Sequence, residues 1–262
     1  MASTVLVKDV LRRVAENCND FDPQFHHWTE TEYVQALNEA QNILAKYLPP
    51  SCTRVDAVKL ASGTRQTIDS IAAANVKPSV GSAPASSLIG FQLIDVVRNM
   101  GSNGLTPGAA IIGVSRDLLD TMSPLWHQST GSEIECFVYD PQVPKTFYVY
   151  PGVNPSATVW AELHWIAMPP AIPLPPEGTS LYGYLSTDHT TLSVSDEYAD
   201  EVLNYCIARL NLKDSDAADA DRANTFGSLF TGALNAKVQA LTGANPNLKR
   251  LPMAPEPLAR AS

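Results

Sequence analysis

A chain of 262 residues with 45% hydrophobic side chains can bury a substantial core, as one large domain or two small ones, and this excludes disorder throughout. The formal charge of -9, with no long basic run, excludes a general nucleic-acid binder, because holding the phosphate backbone requires Lys and Arg to displace counterions. Cys18, Cys52, Cys136 and Cys206 are widely spaced without a C-x-x-C pair, so they read as reduced core thiols rather than a zinc site or disulfide scaffold.

Near the start, only Val5 to Val7 are apolar before Lys8 and Asp9, too short a run for a signal peptide. The pattern over residues 4–17 predicts a helix with Leu6, Val7, Val10, Leu11 and Val14 on one face. A polar break over 17–23 follows. Thr29 then stands three residues before Glu32, the spacing at which side chain and backbone cap each other reciprocally, and Trp28 and Tyr33 are placed to staple that start. Tyr33, Leu37, Ala40, Leu44 and Tyr47 alternate steps of four and three, which predicts a packing seam that Pro49-Pro50 ends.

Beyond this point the period shortens. Arg54 to Leu60 predicts a strand, Lys77 to Ser87 a loop, and Phe91 to Val97 and Ala109 to Val114 two strands separated by a glycine-rich turn over 101–108. Arg116 to Thr121 predicts a short helix bringing Leu118, Leu119 and Trp126 onto the core. Ile134 to Tyr139, Thr146 to Tyr150 and Thr158 to Ala167 predict three strands of an antiparallel meander with one buried face. Other uncharged stretches are broken by Pro, Gly and Ser, so no membrane span is expected. Pro169 to Pro176, with five prolines in eight residues, predicts a stiff extended connector.

Two helices follow over Leu192 to Leu241. The first begins behind Ser193 and Ser195, with Asp196 and Glu197 favouring the positive end of its dipole, and buries Tyr198, Val202, Tyr205, Cys206 and Leu210. The second carries Phe226, Phe230, Ala233, Leu234, Val238 and Leu241 on one stripe, with Gly243 as its C-cap. These helices need partners, and the other pair lies at the opposite end of the chain. The expected architecture is therefore α+β: a helical bundle of about four helices formed by both chain ends, with an inserted antiparallel β domain, either a sandwich or a barrel. Its divisions are 1–50 for the N-terminal helices, 51–191 for the β-rich domain and connector, 192–243 for the C-terminal helical hairpin, and 244–262 for an extended, proline-containing arm.

A search for chemistry returns little. There is no P-loop, G-x-G-x-x-G, H-E-x-x-H or complete G-x-S-x-G, and no metal or cofactor is expected. Gly113-Val114-Ser115 begins like a nucleophile elbow, but Asp117 occupies the place of the second glycine, so Ser115 reads as a turn residue. His26-His27 reads as a polar helix approach. Glu162 and His164 share a strand face that reads as solvated. Asp214, Asp216, Asp219 and Asp221 lack the glycine and terminal glutamate of a calcium loop and read as a solvated helix junction. Pro170-Ala171-Ile172-Pro173 fits P-x-x-P without a basic flank and reads as part of the rigid connector.

Several blocks together resemble one family. These are Glu135-Cys136-Phe137-Val138-Tyr139-Asp140-Pro141, Lys145-Thr146-Phe147-Tyr148-Val149-Tyr150-Pro151, Leu118-Leu119-Asp120 with Pro124-Leu125-Trp126, and Leu192 to Tyr198 with Lys213-Asp214 and the Phe226 to Leu234 helix. In this order, over roughly residues 5–241, they resemble the head-to-tail adaptor (connector) proteins of tailed bacteriophages, of the podovirus tubular tail protein type. The resemblance implies a helical bundle carrying an inserted β domain, a dodecameric ring below the portal, and no catalysis. It implies the portal protein and a tail or nozzle protein as partners, genomic DNA passing through without specific binding, and a place in the virion after assembly in the host cytoplasm. Because related adaptors grip the portal with C-terminal segments, Leu251, Pro252, Met253 and Leu258 are the expected docking residues. If the helical layer lines the channel, Asp214, Asp216, Asp219 and Asp221 are the candidate lumen acids. The second reading is a tail-associated carbohydrate-binding or other β-rich binding module with Trp160, Tyr148 and Tyr150 as a stacking surface, and the third a hydrolase built on Glu162 and His164.

Overall fold

The computed structural model describes residues 3–20, 27–79, 86–174, 190–213 and 219–244. Helix α1 (Val7–Asn17) buries Val7, Val10, Leu11, Val14 and Ala15, the predicted face shifted off Leu6, which is the N-cap. Helix α2 (Glu30–Tyr47) starts on the predicted capping box: Glu32 N donates to Thr29 Oγ1 at 3.3 Å, and Thr29 N donates to a Glu32 carboxylate oxygen at 2.8 Å. Tyr33, Leu37, Ala40 and Leu44 are buried as the seam requires, but Tyr47 is 62% exposed. The chain turns at the next residue, ahead of Pro49, and Leu48 takes the buried place instead.

Among the described residues nine strands follow: β1 (Thr53–Lys59), β2 (Gly63–Thr67), β3 (Val76–Pro78), β4 (Gly90–Asn99), β5 (Ile112–Gly113), β6 (Thr130–Gly131), β7 (Cys136–Tyr139), β8 (Thr146–Val153) and β9 (Trp160–Ala167). They form an antiparallel sheet of order β3-β1-β9-β4 and a mixed sheet of order β2-β8-β7-β5, with β6 also paired to β8. Neither sheet closes into a barrel. The meander expected of the last three strands does not form: β7 and β8 pair with each other, whereas β9 leaves them to lie between β1 and β4, with Ala57 opposite Glu162 and Val96 opposite Leu163. The reason is burial. Beyond the predicted face of Val159, Ala161, Leu163, Trp165 and Ala167, strand β9 also buries Trp160 and Ile166, so a central position suits it better than the edge of a meander. Leu93, Val96, Leu163 and Trp165 of one sheet share a core with Phe147, Val149 and Val153 of the other.

Strand β2 was not expected, since Gly63-Thr64-Arg65-Gln66-Thr67 has no apolar alternation. Strand β5 is shorter than the predicted 109–114, because the first half of that run bonds elsewhere: Asn99 N donates to Ala109 O, and Ile111 N to Val97 O. Helix α3 (Arg116–Met122) forms where predicted, starting at Ser115, whose Oγ accepts from Leu118 N. Leu119 and Trp126 pack against Val138, but Leu118 is 48% exposed.

The chain returns to the helices through a 3-10 turn (Asp196–Tyr198) and α4 (Ala199–Asn211), followed by α5 (Ala220–Ala244). Helix α4 is the hub, with α1, α2 and α5 each packed against it. It buries Val202, Leu203, Cys206, Ile207 and Leu210 in a core shared by both ends of the chain. Tyr205 lies at the border, edge-on to Phe230 of α5 with ring centroids 5.2 Å apart. Phe226, Leu234 and Val238 are partly buried on the α4 side, while Leu241 is 39% exposed. Helix α5 runs through Gly243 to Ala244, so Gly243 is not its C-cap; one glycine costs a helix about 1 kcal/mol and does not by itself stop it.

Candidate interaction surfaces

The segments that join the helical and β layers are fixed by polar side chains. Asn38 and Gln41 of α2 hold the returning chain: Ile172 N donates to Asn38 Oδ1 at 2.8 Å, Asn38 Nδ2 donates to Ile172 O at 3.0 Å, and Ser193 N donates to Gln41 Oε1 at 2.7 Å. Ser193 Oγ in turn donates to Pro170 O at 3.1 Å. The P-x-x-P stretch is therefore docked on α2, with Ile172 buried in the helical core. Periodicity could not reveal this, since Asn38 and Gln41 read as ordinary polar helix positions.

At the start of the chain, the Asp196 carboxylate accepts from the Ser3 hydroxyl, from Thr4 N at 2.9 Å and from Thr4 Oγ1 at 2.6 Å. Hydrogen bonds from Ser3 and Thr4 hold its pKa well below the usual carboxylate range. Leu192 N donates to Val5 O and Val7 N to Thr190 O, so the first residues form a short antiparallel pair with the segment entering α4. Another carboxylate, the buried Asp20, accepts from His27 N at 3.0 Å, Trp28 N at 3.3 Å and the Tyr33 hydroxyl at 3.0 Å. Burial and the nearby Asp20 charge push the Tyr33 phenol far above its ordinary value. Trp28 Nε1 donates to Leu210 O at 2.9 Å, tying the start of α2 to the end of α4.

A shallow groove of about 200 Å³ lies between α2 and α4, bordered by Trp28, Ala36 and Leu210. Two ion pairs span it, Glu32 to Lys213 at 2.7 Å and Glu39 to Arg209 at 3.0 Å. Burial acts to raise the Glu32 pKa, but hydrogen bonds from Lys213 and Thr29 outweigh it and hold the carboxyl below its ordinary value. With its charges already paired, the groove presents no reactive constellation.

The residues singled out for chemistry are placed as follows. Glu162 meets Arg98 at 3.4 Å and His164 at 3.8 Å, a carboxylate neutralised by a guanidinium with no nucleophile beside it. Ser115 is a helix cap. His27 lies edge-on to Trp28, and His26 lies outside the described residues. Among the described residues, no cluster of three or more His, Cys, Asp or Glu is arranged to hold a metal ion, and no helix is long and apolar enough to cross a membrane. Cys18, Cys52 and Cys206 are buried free thiols and Cys136 is half-buried.

The proposed stacking surface does not exist. Trp160 is 6% exposed, with the Lys77 ammonium 4.8 Å from its ring centre, and it belongs to the β1/β9 sheet. Tyr148 and Tyr150 belong to the other sheet and pack against the Leu119, Trp126 and Val138 cluster. The pleat of β9 sets Trp160 apart from the predicted core face, and a loop carrying Gly104 covers it.

Of the candidate acids, Asp219 caps α5 by accepting from Arg222 N at 3.0 Å, and Asp221 is exposed in the first turn. Asp214 and Asp216 lie outside the described residues, as do Leu251, Pro252, Met253 and Leu258 of the arm.

No curated protein matches the sequence. The SU10 adaptor protein family matches residues 6–250, taking in the helices of both chain ends and the whole β region between them. This agrees with the resemblance to phage head-to-tail adaptors carried by the aromatic strands and the capped helices, and the chain belongs to the SU10 adaptor protein family.

Proposed function

We propose that this chain is a head-to-tail adaptor that assembles as a dodecameric ring between the portal vertex and the tail and continues the DNA channel. The match to the adaptor family over residues 6–250 carries this reading. The part is structural rather than catalytic, played in the virion after assembly in the host cytoplasm. Its partners are the portal protein on one side and a tail or nozzle protein on the other, with genomic DNA passing through unbound. A ring of identical chains needs two different complementary faces on each subunit, and many weak contacts then add through multivalency.

In this reading the arm over 244–262 docks on the portal through Leu251, Pro252, Met253 and Leu258. Asp214, Asp216, Asp219 and Asp221 face the channel, where their charge repels passing DNA. The first test is the mass of the purified chain by native mass spectrometry and light scattering, alone and mixed with the portal protein of the same virus. A ring, alone or on the portal, supports the reading; a stable monomer that ignores the portal overturns it. Truncation after Gly243 should abolish portal binding, and unchanged binding would move the docking site off the arm. A structure of the assembled ring with the four acids on its outer rim would remove their channel role.

A further inference from the structure

We infer that neighbouring copies join edge to edge through the five-stranded sheet, with β5 of one protomer pairing with β2 of the next. This rests on the ring reading and adds to it the surface that forms the seam.

The two edges of this sheet differ, β2 at one end and β5 at the other. At β5, Ile112 N donates to Glu135 O and Val114 N donates to Phe137 O, both toward β7. By the alternation of a strand, the Gly113 backbone groups turn away from β7, and Gly113 is exposed just past the point where Ile111 N bonds Val97 O of β4 on that same side. At β2, Ile68 N donates to Lys145 O of the β8 side, so the Gln66 and Ile68 rows carry the ladder and the Arg65 and Thr67 backbone groups face outward. Both residues are exposed.

The side chains beside these edges select the pairing. Glu133 and Glu135 next to β5 are exposed acids, and Arg65 on β2 is an exposed base; none of the three is in an ion pair among the described residues. A β5 edge against another β5 edge sets acid against acid, and β2 against β2 sets Arg65 against Arg65, so two-fold pairing is disfavoured. Only the β5-to-β2 contact brings opposite charges together, and it is head-to-tail, the kind that can close a ring. The β5 edge is also apolar: Ile112 is 65% exposed, and Met122 and Leu125 of the adjoining α3 region are 74% and 68% exposed. An added strand covers such a flank.

The test follows ring formation by native mass spectrometry, with the portal protein if the chain needs it. Arg65→Glu and Glu135→Arg should each lose the ring, and the two changes in one chain should restore it. Thr67→Pro, which removes an outward N–H while sparing the ladder to β8, should also lose it. In the unaltered protein, hydrogen exchange at the Arg65, Thr67 and Gly113 amides should slow on assembly. Rings from every variant, or unchanged exchange at these amides in an assembled ring, would overturn the seam while leaving the adaptor reading standing. Failure of the unaltered chain to form a ring would remove both.

Discussion

Asn38 holds Ile172 by both backbone groups, accepting from its N–H at 2.8 Å and donating to its carbonyl at 3.0 Å across 134 positions of sequence. This fixes the chain leaving the β layer onto α2. Asn38→Ala leaves two partly buried backbone groups without partners and should lower unfolding free energy by about 1–3 kcal/mol in urea titrations. An unchanged midpoint would mean the docking rests on Ile172 burial alone.

The start of α2 gives a smaller, cleaner effect. Thr29→Ala removes the acceptor for Glu32 N and one side of the capping box, so stability should fall by about 1 kcal/mol. Thr29→Asp should recover most of it, since a carboxylate also caps and favours the helix dipole. Equal losses in the two variants would place the effect outside capping.

These two positions mark what was legible in the sequence. Thr29 and Glu32 sit three positions apart in a motif whose geometry is local, and the apolar faces of α1, α2 and α4 follow from a single helical period. The Asn38 clamp joins residues whose relation exists only after the chain has folded back, so spacing carried no sign of it. Strand β2 was invisible for another reason: Gly63 to Thr67 forms an edge whose one buried side chain is Gln66, and that amide is spent on Ala61 and Gly63 of the turn that leads into it. Adjacency in sequence favours β8 as the neighbour of β9, whereas burial of Trp160 and Ile166 on its second face selects β1 and β4. Of the candidate interaction residues, the sequence picked out Asp219 as part of a helix junction, which it caps, but gave no sign that Arg65 and Gly113 lie on opposite edges of one sheet, with Glu135 beside the second.

Asp20 should be among the most sensitive buried polar positions. It is 5% exposed and accepts from three donors, two of them backbone groups of the segment entering α2. Asp20→Ala strands these donors, each loss worth about 1–3 kcal/mol when the group stays dry. Thermal unfolding should show a drop larger than that of Thr29→Ala, and Tyr33→Phe in the same background should add little, because its hydroxyl has already lost its acceptor.

Asp196 couples the start of the chain to pH. Its folded pKa is depressed by hydrogen bonds from Ser3 and Thr4, so its contribution is present above the unfolded value of about 3.9 and is lost as pH falls toward the lower folded value. Hydrogen exchange at the Thr4 and Val5 amides should therefore be protected at neutral pH and lose that protection in acid, after correction for intrinsic rates. In Asp196→Asn the acid dependence should flatten; a full acid response in that variant would assign the effect to another carboxylate.

The four thiols make a final prediction that separates packing from exposure. Cys206 is wholly enclosed by α4 and its neighbours, and burial raises its pKa far above that of a free thiol. Burial likewise moves Cys18 from 9.0 to about 11, the hydrogen bond from Asn211 opposing it only in part. Cys136 is half-buried on β7, where burial and the neighbouring Glu135 raise it less decisively. Because the thiolate is the reacting form, iodoacetamide at neutral pH should modify Cys136 first, with Cys18, Cys52 and Cys206 modified only on unfolding. The same shifts set an alkaline limit. A raised folded value favours the neutral thiol, so the stability it contributes is complete below the ordinary thiol value and is lost as pH rises through the folded one. Urea midpoints should fall between pH 8 and about pH 11, and Cys18→Ala should shrink that fall relative to its own value at pH 8. Labelling of Cys206 ahead of Cys136 in the folded protein would contradict the packing of α4 at the centre of the helical core.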